Sequence, residues 1–110
     1  MSNTPQRVER DPAHQAEVDE ACRRLALYEF AGCPFCRRVL SEIERLNLDI
    51  PLRDTQREPG AREALHKGGG RTTVPCLRID HDSGEREWLY ESSDIVAWLR
   101  RRFETQASDA

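Results

Sequence analysis

Gly32-Cys33-Pro34-Phe35-Cys36 sits between two stretches of different hydrophobic pattern, and this junction confines the chain to folds in which a strand hands over to a helix at paired thiols. Before it, Leu25-Ala26-Leu27-Tyr28-Glu29-Phe30 is mostly apolar and too short for a typical helix, which suits a buried strand. After it, Val39, Leu40, Ile43 and Leu46 recur at one-, three- and four-residue spacing, the apolar face of a helix running from Pro34 to near Asn47. Pro34 fits the first helical turn, where its missing N–H has no intrahelical partner in any case. The free N–H groups and positive dipole end of a helix stabilise an anion. Cysteines of C-x-x-C pairs in such settings titrate at roughly 3.5–7.5 rather than about 8.5. Cys33 is therefore read as the nucleophile, and Cys36, one turn into the helix and more shielded, as the resolving thiol.

The rest of the chain predicts an alternation of strands and helices. Residues 1–22 read as a polar extension too poor in apolar residues to pack deeply, frayed over its first ten residues, with a short helix after Asp11-Pro12 and an exposed Cys22. Ile50 to Arg53 suits a second strand, and Pro59 to Lys67 a second helix closed by Gly68-Gly69-Gly70. Thr72 to Ile79 reads as a strand carrying Pro75, and His81 to Gly84 as a turn into a strand at Trp88-Leu89-Tyr90. Ser92 or Ser93 caps the last helix, whose apolar face is Ile95, Val96, Leu99 and Phe103, while Arg100 to Arg102 form a solvated face near its C-terminus. The resulting order, β-α-β-α-β-β-α, predicts an α/β fold with a four-stranded mixed sheet flanked by helices on both faces. The domain spans 23–104, and 105–110 is a tail.

At 110 residues there is room for one domain. The formal charge of -3, from 17 basic and 20 acidic residues spread along the chain, lacks the basic block that tracks phosphates and argues against nucleic acid. No apolar run approaches the length needed to cross a bilayer, and the polar N-terminus lacks the apolar core of a signal peptide. The expected location is the reducing cytoplasm, where four cysteines point to metal or redox chemistry rather than structural crosslinks. A tetrahedral zinc site needs four ligands, and Cys22, Cys76, His14, His66 and His81 offer no second pair. No metal is expected.

Three separated motifs carry a family likeness from Leu25 to Phe103. Cys33-Pro34-Phe35-Cys36 resembles the C-P-[YF]-C of dithiol glutaredoxins, a branch of the thioredoxin superfamily, rather than the C-G-P-C of thioredoxins. Gly70-Arg71-Thr72-Thr73-Val74-Pro75 is similar to the segment leading to that family's cis-proline, and Glu91-Ser92-Ser93-Asp94 to the start of its last helix. The resemblance implies a thioredoxin-like fold and a glutathione-dependent thiol–disulfide oxidoreductase that reduces protein–glutathione mixed disulfides and protein disulfides. Glutathione is then the cosubstrate, held by Phe35, Arg71, Thr73, Val74, Pro75, Glu91 and Ser92. The chain is expected to act as a monomer on disulfide-bonded or glutathionylated proteins.

Departures from the pattern are specific. Many glutaredoxins carry a basic residue three positions before the first active cysteine, where this chain has Phe30; Arg37, Arg38 or Arg71 can replace that carboxylate contact. Glu91-Ser92 is also similar to the Glu-Ser pair of the glutathione transferase N-terminal domain, which shares the fold. A transferase normally adds a helical second domain that these residues do not include, so conjugation is not expected. Two alternatives remain: a glutathione-bridged iron–sulfur scaffold, which Pro34 and Cys36 disfavour, and a glutathione-binding adaptor without turnover. Cys76, next to Pro75, reads as a buried and inert thiol.

Overall fold

The structure is a computed structural model that describes residues 7–104; residues 1–6 and the tail at 105–110 lie outside the described residues. Eight elements follow one another: α1 (Pro12–Cys22), β1 (Leu25–Glu29), α2 (Pro34–Arg45), β2 (Leu52–Asp54), α3 (Ala61–Gly69), β3 (Cys76–Asp80), β4 (Arg86–Tyr90) and α4 (Ser92–Phe103). The expected order holds, preceded by one more helix. The sheet runs β2-β1-β3-β4, with β1 parallel to β2 and antiparallel to β3, and β3 antiparallel to β4.

Alternation along the strands assigns the two faces. Leu25, Leu27, Leu77 and Ile79 point to the side covered by α1, α2 and α4, where Val39, Ile43, Ile95 and Leu99 complete the larger core. Ala26, Tyr28, Cys76 and Tyr90 point to the other side, against Ala61 and Leu65 of α3. Every residue of β1 is buried, as its nearly unbroken apolar run requires of a central strand covered on both faces.

Several local expectations need correction. Residues 12–22 do pack deeply: Asp11 caps α1 by accepting the His14 N–H at 2.8 Å, and Val18 and Cys22 enter the larger core. Cys22 is thus fully buried, because one apolar residue per helical turn, Val18 and then Cys22, suffices to seat a short helix on the larger core beside β1. Neither Ser92 nor Ser93 caps α4; Glu91 occupies that position without a side-chain bond, and the serines form the first turn. Strand β3 begins at Cys76 rather than Thr72, since Pro75 has no N–H for the ladder; the Val74–Pro75 bond is cis. The glycine run does more than close α3. A Cβ on Gly68 would lie 2.0 Å from Trp88, and one on Gly69 2.0 Å from the Tyr90 hydroxyl, so only glycine lets the helix end rest on β4. Gly70, at φ 89, then makes the left-handed cap.

Arg100 is more than a solvated residue. It bonds Glu42 of α2 through Nε at 2.9 Å and Nη2 at 3.3 Å, while Arg45 donates to the same carboxylate and to Glu104. The ion pair ties α2 to α4 about two turns from the start of each helix. No helix among the described residues is long and apolar enough to cross a membrane.

Candidate functional site

Strand β1 ends at Glu29, and three residues later Gly32, at φ 92, turns the chain into α2. Cys33 takes the cap position of that helix: its Sγ accepts the Cys36 N–H at 3.3 Å, as a serine or aspartate oxygen would. Sulfur at this position lies where the first N–H groups and the dipole favour negative charge. Cys33 retains 8% exposure, whereas Cys36, Cys22 and Cys76 retain none, and all four thiols are free. Burial, and then a hydrogen bond with Cys33, push the Cys36 thiol up to about 12. Burial likewise pushes Cys22 to about 11 and Cys76 to about 12. Three thiols therefore stay protonated at neutral pH, and the least buried one caps the helix.

A groove of about 330 Å³ begins at Phe35, two residues after Cys33 in the first turn of α2. Phe35, Thr73, Val74, Pro75, Glu91 and Ser92, six residues picked out from the sequence, all line it, and Arg38 and Ser93 complete it. Phe35 is 62% exposed, which leaves its ring available to an apolar part of a ligand. Val74 takes no part in strand pairing or turn bonding, so its backbone groups are open to an extended peptide-like molecule. Opposite, α4 starts without a side-chain cap, leaving the N–H groups of its serine turn for an anion.

Glu91 holds φ 76 and ψ 119, a region that costs a non-glycine residue on the order of 1–3 kcal/mol. The residue keeps it at the rim of the groove, between Tyr90 of β4 and the first turn of α4. Strain of this kind is retained where the surrounding structure over-determines it, and such positions concentrate at ligand clamps.

Arg71 stands apart from the groove. Its guanidinium lies 4.2 Å above the Tyr90 ring, and its carbonyl accepts the Tyr90 hydroxyl at 3.0 Å, on the α3 side of the sheet. The arginine that does line the groove is Arg38. Helical spacing contained the signal, because Phe35 and Arg38 are three residues apart and share a face of α2. The buried carboxylate of Glu42, which steadies α2 against α4, was also missed; nothing distinguishes it in the sequence from exposed neighbours such as Glu44.

The family model described as "Glutathione S-transferase, N-terminal domain" matches residues 27–107. No curated protein matches the chain significantly in sequence. Among solved structures it is similar to glutathione transferase Omega 1C from Trametes versicolor, with a TM-score of 0.61 and 20% identity over 74% of this chain and 38% of that one. A delta-class glutathione transferase of Nilaparvata lugens gives a TM-score of 0.57 and 27% identity over 72% of this chain and 36% of that one. Maleylacetoacetate isomerase from Anaeromyxobacter dehalogenans 2CP-1, with bound dicarboxyethyl glutathione and citrate, gives 0.56 and 24% over 73% and 37%. The chain thus spans well under half the length of each of these proteins.

Proposed function

The chain belongs to the family of glutathione S-transferase N-terminal domains, and from that premise we propose that it binds glutathione and acts as a glutaredoxin-type thiol–disulfide oxidoreductase with Cys33 as nucleophile. The observation that carries this reading is the asymmetry of the thiols. Cys33 caps α2 and keeps contact with solvent beside the groove, while its partner Cys36 is fully buried and held protonated.

The Cys33 thiolate attacks the glutathione sulfur of a protein–glutathione disulfide lying in the groove. The new Cys33–glutathione disulfide forms as the old one breaks, and the departing protein thiolate takes a proton from solvent. A second glutathione, as thiolate, then attacks the bound glutathione sulfur, giving oxidised glutathione and the free Cys33 thiolate. The N–H of Cys36 stabilises the Cys33 sulfur as it carries charge at both stages. On the glutathione molecule, the Val74 backbone pairs with the peptide, the first turn of α4 takes the γ-glutamyl carboxylate, and Arg38 takes the other carboxylate. The reading places the protein in a reducing compartment such as the cytosol, acting on glutathionylated proteins without a metal.

The family match also favours a second reading, transfer of glutathione to an electrophile. In that chemistry the attacking sulfur is glutathione's own, and Cys33 need form no covalent bond. Wild type and Cys33→Ser are compared on a glutathionylated peptide, in an assay coupled to glutathione reduction, and on an aryl halide. Peptide turnover that falls by at least about 100-fold in Cys33→Ser, the scale of losing an essential nucleophile, supports the exchange mechanism. Turnover that survives the substitution sinks it, and aryl-halide conjugation that survives points to the transferase.

A further inference from the structure

The outer face of α2 and α4 next to Cys33 carries positive charge that extends beyond the glutathione groove, which Arg38 lines and Arg37 does not. Arg37 and Arg38 are exposed, and neither forms an ion pair among the described residues. With Pro34, Ser41, Val96 and Arg100 they line a second groove, of about 420 Å³, between the two helices. Its one acidic residue, Glu42, is already bonded to Arg45 and Arg100. The groove is therefore positive on a chain whose formal charge is -3. Arg38 lines both grooves and joins them. The Arg37 N–H donates to the Cys33 carbonyl at 3.0 Å, so Arg37 sits one helical turn, about 6 Å along the axis, from the nucleophile and on its face of the helix.

We propose that this second groove receives the polypeptide on the other side of the disulfide, and that it selects substrates carrying carboxylates next to the reacting cysteine. The inference rests on the reading of Cys33 as the attacking thiol. A polypeptide joined through sulfur to the molecule in the first groove reaches the second by way of Pro34, which lines it, and an extended chain covers roughly 3.3–3.6 Å per residue. An Asp or Glu two positions from the substrate cysteine therefore reaches the guanidinium of Arg37, whose planar fork suits a carboxylate. A nucleic acid has no sulfur to bring it to Cys33, and the charge of the chain as a whole opposes it.

The test uses the whole chain with Cys33→Ser and two fluorescent peptides. Each has a glutathionylated cysteine at its centre, flanked in one by aspartates and in the other by lysines. Anisotropy should give roughly tenfold tighter binding of the acidic peptide at about 0.01 M salt and no preference at about 1 M, where charges are screened beyond about 3 Å. Arg37→Glu in the same background should abolish the preference, and Arg37→Lys, which keeps the charge, should retain it in part. Equal binding of both peptides at low salt overturns the proposal, as does a preference that survives Arg37→Glu or tighter binding of a single-stranded oligonucleotide. Wild-type turnover of the mixed disulfide between glutathione and 2-mercaptoethanol tests the Cys33 reading separately, since that substrate has no chain to fill the second groove. Activity on it with equal peptide binding removes only the second groove's role, and inactivity on it removes the exchange mechanism while the binding ratio still judges the groove.

Discussion

Replacing Glu42 by Gln should destabilise the protein in a pH-dependent way that can be worked out from the ion pair between α2 and α4. The Glu42 side chain is 8% exposed and bonded to two guanidiniums, at 2.9 Å to Arg100 Nε and 3.1 Å to Arg45 Nε. Burial opposes its ionisation, but the hydrogen bonds from Arg100 and Arg45 outweigh burial and bring the carboxyl from 4.5 to about 2. At about 1.36 kcal/mol for each factor of ten in proton affinity, this corresponds to about 3 kcal/mol of linkage free energy. Solvent around the half-exposed Arg100 reduces the figure to about 2 kcal/mol. Because the folded value is depressed, the contribution is complete above the ordinary carboxylate value and fades as pH falls through about 2. Urea unfolding followed by circular dichroism should show the Glu42→Gln midpoint about 1 M below wild type near neutrality, for a slope of 1–3 kcal/mol per molar. By about pH 3 the gap should shrink by half or more, because only the wild type loses the charge-linked term. Equal midpoints near neutrality, or a gap that stays constant down to about pH 3, would refute the reasoning.

The thiols should separate by reagent. At about pH 8, iodoacetamide should label Cys33 alone in the folded protein, as read by peptide mass spectrometry, while Cys22, Cys36 and Cys76 react only after denaturation. Cys36→Ser should keep most deglutathionylation, because glutathione can resolve the Cys33 adduct, but lose at least about 10-fold in reducing a protein disulfide; equal losses on both substrates would count against the monothiol route. Glu91→Gly should raise stability by about 1 kcal/mol by releasing the backbone at φ 76, yet weaken glutathione binding several-fold in calorimetry, and a variant that gains both would show that the Glu91 side chain does not serve the groove. Gly68→Ala should cost about 2–3 kcal/mol in thermal or urea unfolding, since its methyl meets the Trp88 ring at 2.0 Å, whereas an unchanged midpoint would mean that α3 can lift off β4 freely.

Local signals explain why part of the architecture could be read in advance. The apolar run at Leu25, the turn at Gly32 and the helical spacing after Pro34 are properties of neighbouring residues, and each element formed within a few positions of its expected place. The groove was legible for the same reason, since Phe35, the Thr73–Pro75 segment and Glu91-Ser92 lie at element ends, where short motifs mark the backbone geometry. The packing of α1 was not legible. Val18 and Cys22 become core only because the α2–α4 layer leaves a place beside Leu25 for them. Its position in the motif before Pro75 favoured Arg71 over Arg38 as the arginine of the groove, but the Tyr90 ring, brought across by β4, draws Arg71 away.

The sequence by itself determined the strand–helix junction, the identity of the thiol at the helix start and the order of the elements, because capping, periodicity and proline geometry act over a few residues. Only the tertiary structure decided which thiols are silent, which arginine reaches the groove and that Glu42 is charged at the α2–α4 seam. Those outcomes depend on burial and on distances between residues as far apart in the chain as Glu42 and Arg100, which exist only once the sheet has brought its two faces and four helices together.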